Sequence, residues 1–370
     1  MSNLKTTLAP AFEDDATSWP GWSIVLEIIY VIIALLGILG NGIVVFALIK
    51  VKYLKSFTNV LVTNQSAIDL VSSIMFFALY VLPRPTLPVG NETFTNFVCK
   101  FWLSEYPLWA FSVSSTVNLV CLTFDRYFAV IHPVIYRNKF SIGKGKLVCL
   151  LPWIIGLLHE VPWMYVHKVK PITHTCEPMW PHDGAQYIFG VIVFINHYVI
   201  PLLIMVYVYT RIILRLRREL KQPSTPTSPN TKNADKPKNK RHFATVASRS
   251  VLKTMIIVSL SYLICWGPNE VIYLYFNCGN YVDFTSFLVT ITVICVLCNM
   301  WLNPIIYALN YKELRRGVVD SFSIVTYRIP ALRKFGSADR KSLAVKGETL
   351  RDTISGNGSV RGGSDGGNKV

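Results

Sequence analysis

Seven apolar runs constrain this chain more than any other feature, because each is long enough, or nearly so, to cross a lipid bilayer. A spanning helix needs roughly 20 predominantly apolar residues. The runs lie at about 24–49, 57–82, 102–131, 147–166, 187–213, 251–276 and 284–309 of the 370 residues. In the first of them Glu27 is the only charge, whereas Pro152, His159, Glu160 and Pro162 interrupt the fourth. Proline is tolerated in a spanning helix because neighbouring helices can satisfy the freed backbone groups. Charged residues make up 16% of the chain, against about 25% in soluble domains. The expectation is an all-α membrane protein, a seven-transmembrane helix bundle over 24–322. A polar N-terminal segment, 1–23, precedes it. A Pro-, Ser- and Lys-rich loop at about 214–250 and a tail at 323–370 read as disordered. The first 23 residues lack a basic n-region and a short apolar h-region, so no cleavable signal peptide is expected.

Basic residues set the orientation. The odd-numbered connections (first, third and fifth) and the C-terminal side hold 32 of the 37 Lys and Arg residues. Cytoplasmic loops carry such an excess, so the N-terminus is expected outside and the C-terminus in the cytoplasm. The net charge of +16 is then a topology signal, and no nucleic-acid partner is read from it. The outer side holds five basic and eleven acidic residues, which would draw in cationic ligands; some of these acids also suit a merely solvated rim. Five cysteines fall inside runs. Cys99, Cys176 and Cys278 lie outside them, where the compartment is oxidising. A Cys99–Cys176 disulfide would tie the third run to the loop at 167–186 and leave Cys278 free. Asn91-Glu92-Thr93 is a glycosylation sequon on the outer side. Asn64-Gln65-Ser66 has the same pattern but lies within a run.

Ionisable groups inside a membrane span are costly and mark function by default. Asp69 is mid-run, with Asn41, Ser115, Asn299 and Asn303 on other runs able to meet it. Carboxylate, hydroxyl and amide oxygens suit a small hard cation. The same groups also suit an ordinary interhelical hydrogen-bond network. Asp125-Arg126-Tyr127 closes the third run. Arg126 there is either an anchor at the interface or a charge that its acidic neighbour holds in one state and releases in another. In the sixth run, Cys265-Trp266-Gly267-Pro268-Asn269-Glu270 joins a helix-kinking proline to a bulky indole and a carboxylate one turn on. Lipid rejects the charge, so this face is expected to turn inward. The reading is a hinge with a polar contact point above it.

These motifs, in this order, resemble the rhodopsin-like (class A) G protein-coupled receptors. Gly40-Asn41, Asp69, Cys99, Asp125-Arg126-Tyr127, Trp153, Pro201 with Tyr209, Cys265-Trp266-Gly267-Pro268 and Asn303-Pro304-Ile305-Ile306-Tyr307 carry the likeness across about 24–322. The resemblance implies that Arg126 faces a heterotrimeric G protein when active, with Tyr209 and Tyr307 swinging to support it. Trp266 would be the toggle at a pocket floor. Asp69, Ser115, Asn299 and Asn303 would line a sodium site, an allosteric modulator rather than a cofactor. Residues 311–322 would form an amphipathic helix on the membrane lipid. Arrestin and a receptor kinase would act on the tail, and the chain would not be an enzyme. Two departures stand out. Cys99 precedes Arg126 by 27 residues, two more than the family's habit, so extra residues sit near Pro107. An acid usual near the inner end of the sixth run is replaced by Ser248-Arg249.

The seventh run has no Lys, which excludes an opsin. Amine receptors have an Asp where this chain has Leu108 or, with the two extra residues, Tyr106. The expected ligand is a basic neuropeptide, with a small cationic amine as the alternative. Its pocket is expected to use Glu105, Tyr106, Trp109, Ser112, His197, Trp266, Asn269, Glu270 and Tyr273, with Glu270 meeting the cation. His197 also suits a core histidine bonded to backbone. A transporter would show duplicated halves and a membrane hydrolase a metal or nucleophile motif; neither pattern is found.

Overall fold

The computed structural model describes residues 22–83, 85–88, 90–221, 235–284 and 286–328. The expectations for 1–21, 222–234 and 329–370 lie outside the described residues. The chain divides into two units, Met1–Val318 and Val319–Val370. The first contains the apolar helices; the described part of the second is the end of a helix reaching Arg328.

Seven helical stretches are long and apolar enough to cross a membrane: Ile24–Lys50, Phe57–Val81, Glu92–Ile131, Ile142–Val166, Gly184–Arg218, Leu252–Asn277 and Phe287–Asn310. Their burial is inverted relative to a soluble protein. Ile24, Leu39, Leu158, Leu203, Ile264 and Leu309 are exposed, whereas Asn41, Asp69, Asn118 and Asn303 are buried. Lipid tails are as apolar as leucine, so polar groups collect inside, where helices bond one another.

The first stretch is the helix α1 (Trp22–Lys50). The second is α2 (Phe57–Phe76), running into a π-helical turn, Phe77–Val81. Ser56 caps α2 by accepting a bond from the Asn59 amide at 3.1 Å. The third is broken: α3 (Glu92–Phe97) passes into a π-helical turn at Val98–Leu103, and α4 (Tyr106–Ile131) starts afresh. Glu105 at the break has φ 59°, the left-handed region that few side chains adopt. The two extra residues before Arg126 are absorbed here, in a widened turn and a break ahead of Pro107 rather than in a bulge at Pro107 itself.

Short α5 (Pro133–Lys139) precedes a fourth stretch made of α6 (Ile142–Val148), α7 (Leu150–His159) and α8 (Val161–Val166). Gly156 lets α7 lie directly on α4. A Cβ there would stand 2.1 Å from Ser114 Oγ and 2.3 Å from the Ala110 carbonyl oxygen. Strands β1 (His167–Val169) and β2 (Cys176–Pro178) form an antiparallel hairpin. The Cys99–Cys176 disulfide fastens it to the π-helical turn before α4, as expected, and Cys278 is free and exposed.

The fifth stretch is α9 (Asp183–Val193), a π-helical turn Phe194–Val199 and α10 (Ile200–Lys221). The π-turn precedes Pro201, whose missing N–H loosens the backbone there. The sixth lies in α11 (Asp235–Asn277), which keeps Pro268 inside an unbroken helix. Tyr198 donates to the Leu263 carbonyl at 3.3 Å, beside the turn that Pro268 loosens. The Tyr198 hydroxyl would lie 2.6 Å from a Cβ on Gly267, so that glycine provides space as well as flexibility. The seventh is α12 (Phe287–Asn310), and α13 (Lys312–Arg328) follows it. Leu314 on α13 is buried while Lys312, Glu313, Arg315 and Arg316 are exposed, so the expected amphipathic helix is present. One correction concerns the loop expected to be disordered at 214–250. Residues 214–221 and 235–250 are helical. The run Arg-Ile-Ile-Leu-Arg-Leu-Arg-Arg-Glu-Leu-Lys is made of good helix formers, and Pro237 sits in a first turn, where proline is tolerated.

Candidate functional site

At the disulfide end the helices part around a cavity with about 1050 Å³ unfilled by protein, its open mouth included. Seven of the nine expected pocket residues line it: Trp109, Ser112, His197, Trp266, Asn269, Glu270 and Tyr273. Glu105 and Tyr106 do not. The break before α4 turns both away: Glu105 accepts a bond from the Tyr80 hydroxyl at 2.7 Å, and Tyr106 donates to the Leu157 carbonyl at 2.9 Å. Sequence reasoning missed Glu160, Trp163, Tyr30 and Tyr80, which line the cavity from the fourth, first and second stretches. Glu160 was legible only as one acid among many on the outer side; its place between two prolines could have marked it as a break aimed inward.

The cavity floor is an interhelical strap. His197 Nδ1 lies 2.6 Å from Glu270 Oε1, and its Nε2 lies 2.9 Å from Thr116 Oγ1. The imidazole meets the Trp266 ring edge-on, with centroids 4.4 Å apart at 89°. Tyr262, a turn below, donates to the His197 carbonyl. One histidine thus joins the third, fifth and sixth stretches at the expected hinge. His197 lines the cavity, and its ring is bonded to side chains rather than to backbone. It also changes Glu270: Oε1 is taken by His197, and Oε2 is sealed from solvent without a partner. The Trp266 Nε1 is likewise sealed and unpartnered.

Below the floor, Asp69 is the hub of a closed network. Ser115 donates to Oδ1 at 2.7 Å and Asn303 Nδ2 to Oδ2 at 2.7 Å. Gln65, one turn earlier on α2, donates to both carboxylate oxygens at 3.2 and 3.3 Å and to Ser115 Oγ at 2.5 Å. Asn118 supports Gln65 at 2.8 Å. Asn299 is buried but does not bond to Asp69, and Asn41 instead bridges to the Gly37 and Met300 carbonyls at 2.9 and 2.8 Å. Gln65 therefore holds the place that the resemblance gave to Asn299. Its position four residues before Asp69 was the available signal.

At the opposite end Arg126 is 7% exposed and clasped by its neighbour. Its Nε and Nη2 lie 2.9 and 2.5 Å from Asp125 Oδ2, and Nη2 also bonds Thr58. Asp125 in turn accepts from Thr58 at 2.9 Å and Tyr136 at 2.7 Å. Tyr209 is turned to the sixth stretch, 3.0 Å from Ser259 Oγ and 3.4 Å from the Met255 carbonyl. The Tyr307 hydroxyl is buried without a partner. Tyr127 packs edge-on against Phe128 and His132. Pro268 lies between the two ends on α11, and Pro304 lies inside α12. Asn91 is exposed and caps α3 by accepting from the Phe94 amide at 3.0 Å. Asn64 is committed inside, bonded to Asn118 at 2.9 Å and Trp153 at 3.0 Å.

A seven-helix bundle with a ligand-sized cavity at one end, a proline-bearing helix leading from it and a clasped arginine at the other has the build of a membrane receptor. The sequence profile of the seven-transmembrane receptors of the rhodopsin family matches residues 40–307, and the chain belongs to that family. The receptor nature that the motifs suggested, and a chain that crosses the membrane several times rather than an enzyme, follow from membership. Similar proteins include the QRFP-like peptide receptor of Branchiostoma floridae, 26% identical over 80% of this chain and 77% of the relative. The substance-P receptor of Homo sapiens is 28% identical over 82% of this chain and 72% of its own length. Galanin receptor 2b of Danio rerio is 27% identical over 82% and 76%.

Proposed function

We propose that the chain is a cell-surface receptor that binds an extracellular basic peptide in the cavity and activates a heterotrimeric G protein from the Arg126 end. One observation carries the ligand class: two carboxylates, Glu160 and Glu270, line the cavity, and none of its described lining residues is Lys or Arg. The names of the relatives, all peptide receptors, support a peptide over a small amine. Nothing favours the amine: Leu108 and Tyr106, where an amine receptor would carry its Asp, are buried outside the cavity lining. The orientation belongs to this reading too, with the N-terminus outside the plasma membrane, Asn91 glycosylated and α13 on the inner-leaflet lipid. Receptor kinase and arrestin would meet the tail. A library of Arg- and Lys-containing peptides, and separately of aryl amines, applied to expressing cells with G protein activation as readout tests it. Activation by amines alone would overturn the peptide reading.

Activation in this reading is a population shift, and the agonist shifts it only by its differential affinity for the two states. Contacts at the His197–Glu270–Trp266 strap would favour an arrangement in which α11 swings about Pro268. Asp69 fits a sodium ion on the chemistry of its donors. Asn303 presents its amide nitrogen and leaves Oδ1 buried without a partner; a half-turn of that amide exchanges donor for ligand, giving a carboxylate, a hydroxyl and a carbonyl oxygen around one point. Bound sodium would supply positive charge beside Asp69 and hold the resting state. Replacing sodium with N-methylglucamine in the medium is expected to raise agonist affinity in the natural chain and to leave Asp69→Asn unmoved. An equal response in both would remove sodium from the account.

A further inference from the structure

Two carboxylates face the cavity, and they are not equivalent. Glu270 is closed off. One oxygen is held by His197 at 2.6 Å and the other is sealed from solvent. Its partner is also fixed on both sides. Thr116 donates its hydroxyl proton to the Ser112 carbonyl at 3.3 Å, which leaves its oxygen free to accept from His197 Nε2 at 2.9 Å. His197 is thus held through both ring nitrogens, one on Glu270 and one on Thr116. Glu160 has neither constraint. Its Oε1 meets His159 Nδ1 at 2.9 Å, but His159 Nε2 is buried without a partner. His159 is thus held through one ring nitrogen only. The second Glu160 oxygen has no protein partner and is not sealed. Trp163, three residues on, lines the same wall, and an aromatic face beside a carboxylate favours a cation.

We propose that Glu160, at the break between α7 and α8, is the specificity-determining residue that receives the cationic group of the ligand, an arginine guanidinium or an ammonium, through its open oxygen. Glu270 is a positioning residue that holds His197 and the hinge. The assignment rests on the cavity being the peptide site and names which acid reads the peptide's charge.

The first test needs no agonist. Thr290→Cys, on the cavity wall from the seventh stretch, is placed in a Cys278→Ser background and reacted with cationic ethylammonium and anionic sulfonatoethyl methanethiosulfonates. The ratio of the two rates reads the charge of the cavity. Glu160→Gln is expected to lower that ratio threefold or more, and Glu270→Gln to lower it less. The second test uses an arginine-containing peptide agonist and its citrulline analogue, which keeps shape and loses charge. The natural chain should prefer arginine by tenfold or more, the worth of a charge-assisted bond. Glu160→Gln should erase that preference, and Glu270→Gln should retain it while changing maximal response. Surface labelling establishes that each variant reaches the membrane, and Glu160→Asp should recover part of the preference. A rate ratio that falls with Glu270→Gln and not with Glu160→Gln, or a preference that survives Glu160→Gln, overturns the assignment. Failure of every peptide while the rate ratio behaves as expected would instead sink the peptide reading and leave the charge of the cavity assigned to Glu160.

Discussion

Arg126→Ala is expected to abolish agonist-stimulated nucleotide exchange on the G protein while agonist binding persists, and Asp125→Asn in the same clasp is expected to raise exchange without agonist. The opposite signs follow from one geometry. Asp125 Oδ2 holds Arg126 Nε at 2.9 Å and Nη2 at 2.5 Å; Thr58, which also bonds Nη2, and Tyr136 tie the same carboxylate in place. The chain carries Ser248-Arg249 where a second acid could share this work, so the resting clasp rests on Asp125. Removing one partner of a buried ion pair costs about 3–5 kcal/mol, and the arginine escapes that cost in any arrangement that gives its charge solvent or another partner. Every 1.4 kcal/mol of the difference is about tenfold in the equilibrium, so a modest fraction suffices for a several-fold rise in basal exchange. Without Arg126 neither state has the charge that the proposed G protein contact needs. The measurement is binding of a radiolabelled, non-hydrolysable GTP analogue to membranes, normalised to surface receptor. Normal stimulation in Arg126→Ala would end its assignment to coupling. An unchanged baseline in Asp125→Asn would mean that the clasp does not set the resting state.

The bundle was legible because hydropathy over 20-odd residues is a strong signal that tertiary contacts do not override. All seven runs became helices, and the largest revision at an end was in the third, which begins at Glu92 rather than near 102. The site was legible in part. Residues one turn apart on an unbroken helix, Trp266 and Glu270, came out together as ideal geometry requires. Glu105 and Tyr106 failed because a π-helical turn and a left-handed residue intervene between Cys99 and α4, and no count along the chain reveals which way a break rotates the next residues. His197 shows a different limit. Its partners Glu270 and Thr116 are 73 and 81 residues away, and pairing between helices is decided by packing that no local pattern encodes. Gln65 was readable from its spacing to Asp69. The resemblance directed attention to Asn299 instead.

His197→Ala is expected to lower the thermal stability and surface level of the receptor sharply, and adding Glu270→Gln to the same chain is expected to restore much of both. The alanine removes the only partner of Glu270 Oε1 among the described residues and leaves Oε2 as it was, sealed and unbonded. A carboxylate left in that position without its partner is an uncompensated buried charge, which costs about 3–5 kcal/mol. It also takes the edge of the ring from Trp266 and one bond from Thr116, so the third, fifth and sixth stretches lose their common strap. Glutamine at 270 keeps the shape and removes the charge, which is the larger part of the penalty; the cavity left by the imidazole is not refilled, so the rescue stops short of the natural chain. Unfolding of detergent-solubilised receptor, followed by thiol labelling of the buried Cys265, gives the midpoint of each variant. The interaction energy in the double-mutant cycle isolates the pair from the packing. Additive losses, with Glu270→Gln giving no rescue, would mean that His197 stabilises by filling space alone, and Glu270 would then have no claim to be a positioning residue.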